Sequence, residues 1–193
     1  IDAHIGDAAS VERFAARAME EAERAGDDTT IGKVRYVLSR EGFWSGRYAE
    51  GAEHGRATVA ALEATGEWWW LGHALLWEAI NHISLGAFGA ALGVVEQSRG
   101  EFGRERQDPR LQGYTAWMSG RIHALRGDWD AAIADLTESL ESSPDLLNSS
   151  YAMGWLGFTH REKGDHARAI SLLEQTVGSL TECRYRRGAR LYA

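Results

Sequence analysis

An all-α array of antiparallel helix hairpins is the architecture this sequence predicts, and three observations predict it. A Gly–x–ring signature recurs through the chain, small residues stand at fixed offsets from it, and no stretch alternates with the period of two that a strand needs. The signatures are Gly46-Arg47-Tyr48, Gly86-Ala87-Phe88, Gly127-Asp128-Trp129 and Gly164-Asp165-His166, with the glycines 40, 41 and 37 residues apart. Three residues after each ring comes Gly51, Ala91, Ala132 or Ala169, and seven before each glycine stands Ser39, Ala79, Gly120 or Gly157.

Each choice has a local cause. The glycine lets the chain turn left-handed and end the first helix of a hairpin. Asp128 and Asp165 are then placed to cap the second helix and to favour its N-terminal dipole. The small residues allow two helices to approach closely, and the ring fills the wedge beside the turn. Apolar spacing between the markers is helical: Ala131, Ile133, Leu136 and Leu140 form one stripe, and Ala169, Leu172, Leu173 and Thr176 another. Trp77, Trp129 and Trp155 also fall on stripes that read as core.

This frame predicts a single domain over residues 1–193. A half-unit at 8–27 precedes hairpins at 30–65, 67–106, 109–143 and 147–180, and a further unit starts at 183–193. Only two prolines occur, Pro109 and Pro144, which suits a chain made mostly of helix. The half-units at either end show no polar cap of the kind a solenoid end needs, so the expectation is a piece of a longer device.

Composition narrows the function. With 44% hydrophobic and 25% charged residues the chain has the balance of a globular protein, and its net charge of -7 argues against a general phosphate-binding surface. The lone cysteine, Cys183, excludes an intrachain disulfide and fits a reducing compartment, so a cytoplasmic location is expected. The apolar stretch from Trp68 to Val95 holds His73, Glu78, Asn81 and His82, which are costly in hydrocarbon and favour a buried hairpin over a membrane span. No partner membrane or nucleic acid is expected.

No constellation for catalysis is visible: the sequence has no phosphate loop with its Lys, nucleophile elbow, paired-His zinc helix or cysteine knuckle. Neither an enzyme nor a cofactor is expected. His82, His123 and His160 occupy one position in three successive units and suggest a metal row. Packed hairpins repeat at roughly 8–10 Å, whereas zinc ligands must all lie about 2 Å from the ion. Hydrogen-bonded inter-helix histidines are therefore the expectation, with no metal. The run Trp68-Trp69-Trp70 spans too wide an arc for one seam, since successive helical residues differ by about 100°. It offers an exposed aromatic patch.

The small–ring–small order, with Pro144 seventeen residues after Gly127, resembles the tetratricopeptide repeat, most closely over residues 112–181. The period exceeds that family's usual length. Stretched units of this kind are similar to the helical-repeat regions of large bacterial signalling proteins, beside ATPase, cyclase or DNA-binding domains. The resemblance implies a superhelical array whose first helices line a concave groove.

On that pattern the groove positions are Lys33, Tyr36 and Arg40, then His73, Leu76 and Ile80, then Tyr114, Trp117 and Arg121, then Tyr151, Phe158 and Arg161. The set is aromatic and cationic, and it implies a scaffold that holds a protein or extended peptide, acidic or aromatic in character. The chaperone-tail-binding members are not matched, because Tyr36, Arg40, Trp77, Tyr114 and Met118 stand where those members carry Lys and Asn. A ligand- or signal-peptide-sensing regulatory module that changes curvature on binding is the alternative. The unfinished ends would also let copies associate.

Overall fold

Left-handed glycines divide the chain into helices. A computed structural model describes residues 8–100, 108–143 and 146–183. Among these, Gly26, Gly46, Gly66, Gly86, Gly127 and Gly164 have positive φ, between 65° and 86°. All four signature glycines are in this set. Gly46 shows the mechanism: at φ 80° it closes a helix, and its N–H donates to the Phe43 carbonyl, satisfying a group that the helix end leaves orphaned.

Nine helices lie between these turns among the described residues, with no strand: α1 (Ala8–Ala25), α2 (Asp28–Ser45), α3 (Tyr48–Leu62), α4 (Trp68–Ser84), α5 (Phe88–Ser98), α6 (Pro109–Arg126), α7 (Trp129–Ser142), α8 (Leu146–Glu162) and α9 (His166–Glu182). Some starts follow short polar caps. Asp27 accepts from the Thr30 N–H at 3.0 Å. Asp108 accepts from the N–H groups of Arg110 and Leu111, with Pro109 entering the first turn. Asp165 accepts from the Arg168 N–H at 3.2 Å. Asp128 makes no such bond and instead faces the Arg126 guanidinium at 3.6 Å, a departure from the expected cap.

The chain forms two compact units, Ile1–Ser98 and Arg99–Ala193. In the first, consecutive helices pack from α1 through α5, and α2 also lies against α4; in the second, packing runs from α6 through α9, and α6 also lies against α8. The first helices of successive hairpins are thus neighbours within each unit.

Close approach explains the small residues. Ser39, Ala79, Ala91, Ala132 and Ala169 are buried, as are Gly51, Gly120 and Gly157. A Cβ on Gly51 would meet the Asn81 side chain at 2.4 Å, and one on Gly120 would meet Leu136 at 2.6 Å. Leu62, Leu71 and Leu75 seal the first unit, while Met118, Ile122, Leu136 and Leu180 seal the second, all with almost no exposure. A polar tie runs through the first core: the fully buried Asn81 amide donates to the Ser39 carbonyl at 3.1 Å and to the Trp77 carbonyl at 2.8 Å.

Three sequence expectations are corrected here. Ala131 is exposed, and its neighbour Ala132 turns inward with Leu136. Trp129 is an exposed ring at the first position of α7, ahead of the stripe that faces α6, so it is not core. Trp77 and Trp155 are only half-buried. The expected unit start at 183–193 and Pro144 lie almost wholly outside the described residues.

Candidate partner-binding face

Packing α2 against α4 sets cations and rings in one continuous series. Lys33 Nζ lies 5.4 Å from the Trp70 ring centre. Trp70 meets Tyr36 edge-on at 5.1 Å. The Arg40 guanidinium lies 5.7 Å from the Tyr36 ring and 5.4 Å from the Trp77 ring, and Trp77 rests 5.7 Å from Phe43. Each such contact contributes about 0.5–1 kcal/mol at a partly exposed site. Their joint effect is to hold the two cations in fixed places.

The second unit repeats the chemistry between α6 and α8. Trp117 stacks on Tyr151 at 5.0 Å with the planes 19° apart, and Tyr114 flanks it at 6.2 Å. The Arg121 guanidinium lies 5.0 Å over Trp155, which touches Phe158 at 5.2 Å, and Arg161 lies 4.7 Å over Phe158. Arg40 and Arg121 both stand six residues before a turn glycine, and Trp77 and Trp155 both stand nine before the next one. The same guanidinium-on-indole contact thus arises in each unit from equivalent positions.

Burial sorts the expected residues. In the first unit Tyr36, His73, Leu76 and Ile80 are buried, and in the second so is Trp117. Burial pushes the Tyr36 phenol above its ordinary pKa, with Arg40 pulling the other way, which keeps it neutral. Lys33, Arg40, Tyr114, Arg121, Tyr151 and Phe158 are half-buried, and Arg161 is exposed. Lys33 bonds Glu67 Oε1 at 3.1 Å, and Arg161 bonds Glu162 Oε1 at 2.8 Å.

The tryptophan run resolves into different roles. Trp68 and Trp69 are 38% and 46% exposed, while Trp70 is covered by Lys33 and Tyr36. Trp69 stacks on His73 at 4.0 Å, and the His73 Nδ1–H donates to the Trp69 carbonyl at 2.8 Å. That bond fixes the proton on Nδ1 and the ring against the start of α4.

The three aligned histidines each face a carboxylate. His82 Nε2 lies 3.6 Å from Glu78, His123 Nδ1 lies 3.0 Å from Asp135 on the paired helix, and His160 Nδ1 lies 3.6 Å from Asp165. Burial, aided by Arg56, lowers the His82 pKa, and burial with Arg168 lowers that of His160. Burial also raises the Glu78 pKa, against the pull of Arg56. Among the described residues no group of three or more His, Cys, Asp or Glu side chains is arranged to hold a metal ion. No described helix is long and apolar enough to cross a membrane.

Elsewhere in the first unit an open cleft of about 390 Å³ is lined by Glu12, Leu38, Gly42, Arg47, Glu50 and His54. Its charges are matched internally, since Arg47 bonds Glu12 and lies 3.3 Å from Glu50. From the sequence, Trp77 and Trp155 were expected in the core, and Phe43 and Glu67 were passed over. The first two carried a signal, their equal distance from a turn glycine in alternate units.

No protein-family model and no curated protein matches this chain.

Proposed function

We propose that this chain is a tetratricopeptide-like interaction module, each unit a stretch of a superhelical array that holds an extended, acidic segment of a partner protein. The observation that carries the reading is the Arg-on-Trp contact found in each unit, Arg40 on α2 with Trp77 on α4 and Arg121 on α6 with Trp155 on α8. A guanidinium held over an indole has its place fixed beforehand, which lowers the entropy cost of meeting a carboxylate. Tyr, Trp and Arg are also the residue types that most often anchor interfaces. Within the second unit Tyr114, Tyr151 and Phe158 add rings beside these contacts, and within the first the exposed Trp69 touches Trp70.

Selection of random linear peptides on the intact chain tests this reading. Recovered sequences should share carboxylates flanked by apolar or aromatic residues. Recovery of basic sequences, or of binders that need a folded partner, would overturn it.

A further inference from the structure

The cations and rings follow the same order in both units. In the first, Lys33 and Arg40 bracket the touching pair Trp70 and Tyr36. In the second, Arg121 and Arg161 bracket the touching pair Trp155 and Phe158. The outer members come from different places, Lys33 near the start of α2 and Arg161 near the end of α8, so the order is reached twice by different residues. Each outer cation already holds a carboxylate of its own chain, Glu67 or Glu162.

Glu162 is merely the neighbour of Arg161, but Glu67 comes from another helix. It stands at the N-cap of α4, where a side-chain acceptor ordinarily serves the first-turn N–H groups. Glu67 makes no cap hydrogen bond and reaches back to Lys33 on α2 instead. Both side chains of that pair remain about one third exposed, at 32% and 35%, so an outside carboxylate has access. Once released, Glu67 stays beside the start of α4, whose dipole favours negative charge.

Spacing defines the visitor. Lys33 and Arg40 are seven residues apart on α2, a rise of about 10 Å at 1.5 Å per residue. In a polyproline-type segment, side chains three residues apart face the same way and are separated by about 9 Å. We propose that Glu67 is a resident competitor, occupying the Lys33 end of this face until a partner segment with two carboxylates three residues apart displaces it. The second carboxylate is received at the Arg40 end. This rests on the interaction-module reading above.

The probe is a fluorescein-labelled, proline-rich peptide with two glutamates three residues apart, read by fluorescence polarisation on the intact chain. Removing the competitor by Glu67→Gln should tighten binding roughly two- to fivefold, the scale of a partly exposed ion pair. Glu67→Asp, which keeps the charge but shortens the reach, should tighten it in the same direction and guards against a folding effect of the first variant. In a Lys33→Gln background neither change should bring any gain. A peptide with its two glutamates adjacent should bind no better than one with a single glutamate.

Unchanged or weaker binding by both Glu67 variants overturns the competitor, and so does a gain that persists without Lys33. Equal binding of the two spacings overturns the geometry. These failures leave the broader reading standing provided the unsubstituted chain binds the peptide and Arg40→Gln weakens it. No binding by any variant, with recovered peptides lacking carboxylates, removes both.

Discussion

Gly51→Ala is the sharpest test of how the first unit is held together. Alanine suits a helix interior, and in open space the change gains about 0.5–1 kcal/mol. At position 51 the new methyl would sit 2.4 Å from Asn81 Oδ1 and 2.7 Å from both Cγ and Nδ2. Asn81 has no room to yield, because it is fully buried and its amide donates to the carbonyls of Ser39 and Trp77. Relief therefore demands either a helix shift, an overpacking cost of about 1–3 kcal/mol, or the loss of buried hydrogen bonds at about 1–3 kcal/mol.

Set against the propensity gain, the net destabilisation is about 2 kcal/mol. Urea denaturation followed by far-UV circular dichroism would read it as a lower midpoint at unchanged slope. Gly178→Ala is the control: that glycine has nothing within 4 Å of its added Cβ, so it should raise the midpoint. In an Asn81→Ala background the cost of Gly51→Ala should shrink, since the obstructing amide is gone. A Gly51→Ala protein as stable as the parent would refute the close-contact account of the α2–α3–α4 junction.

Three further outcomes follow from the caps, the core and the buried histidine. Asp165→Ala should cost about 1 kcal/mol, because its carboxylate caps α9; Asp128→Ala should cost little, since it caps nothing. Thermal melts of the two variants give the comparison. Leu136→Ala should lose about 2–5 kcal/mol, as its side chain is fully buried against Gly120. His160 has a lowered pKa, from burial first and Arg168 second. The folded state therefore prefers the neutral ring: its contribution is fully present above the unfolded value of about 6.5 and is lost as the pH falls through the lower folded value. His160→Gln should flatten the fall in urea midpoint between neutral and mildly acidic pH, and an unaltered slope would count against that assignment.

What could be read from sequence was local. The turn glycines at 46, 86, 127 and 164 announce themselves because a left-handed residue is needed at one place, whatever the chain does elsewhere. The buried small residues at 39, 79, 120 and 157 follow from those turns by a fixed offset. The phase of a helix is harder, since a shift of one residue rotates the stripe by about 100°. That is why Ala132 rather than Ala131 faces inward, and why Trp129, at the opening of α7, stays outside. Asp128 and Asp165 look alike in sequence, but only the second lacks a guanidinium two residues before it to compete for its carboxylate.

The candidate face was legible only in part. Lys33, Tyr36, Arg40, Trp117 and Arg121 were placed on it by a family pattern, and they supply half of each contact. The other half, Trp70, Trp77 and Trp155, arrives from the following hairpin, across contacts between α2 and α4 or α6 and α8 that no local spacing encodes. Glu67 was invisible for the same reason: its reach to Lys33 is a tertiary event.

The central claim is that the Arg-on-Trp contacts receive a partner's carboxylates. Its most direct measurement is the dissociation constant of a selected acidic peptide for the parent chain and for Arg40→Gln and Arg121→Gln. Arg24→Gln and Arg168→Gln, at exposed arginines of α1 and α9, serve as controls. Losing a charge-assisted hydrogen bond, at about 1.5–3 kcal/mol, predicts roughly ten- to hundredfold weaker binding when the arginine of the unit holding the peptide is replaced, and little change for the controls. Equal losses at all four positions would mean that charge alone attracts the peptide, and the face described here would not be its site.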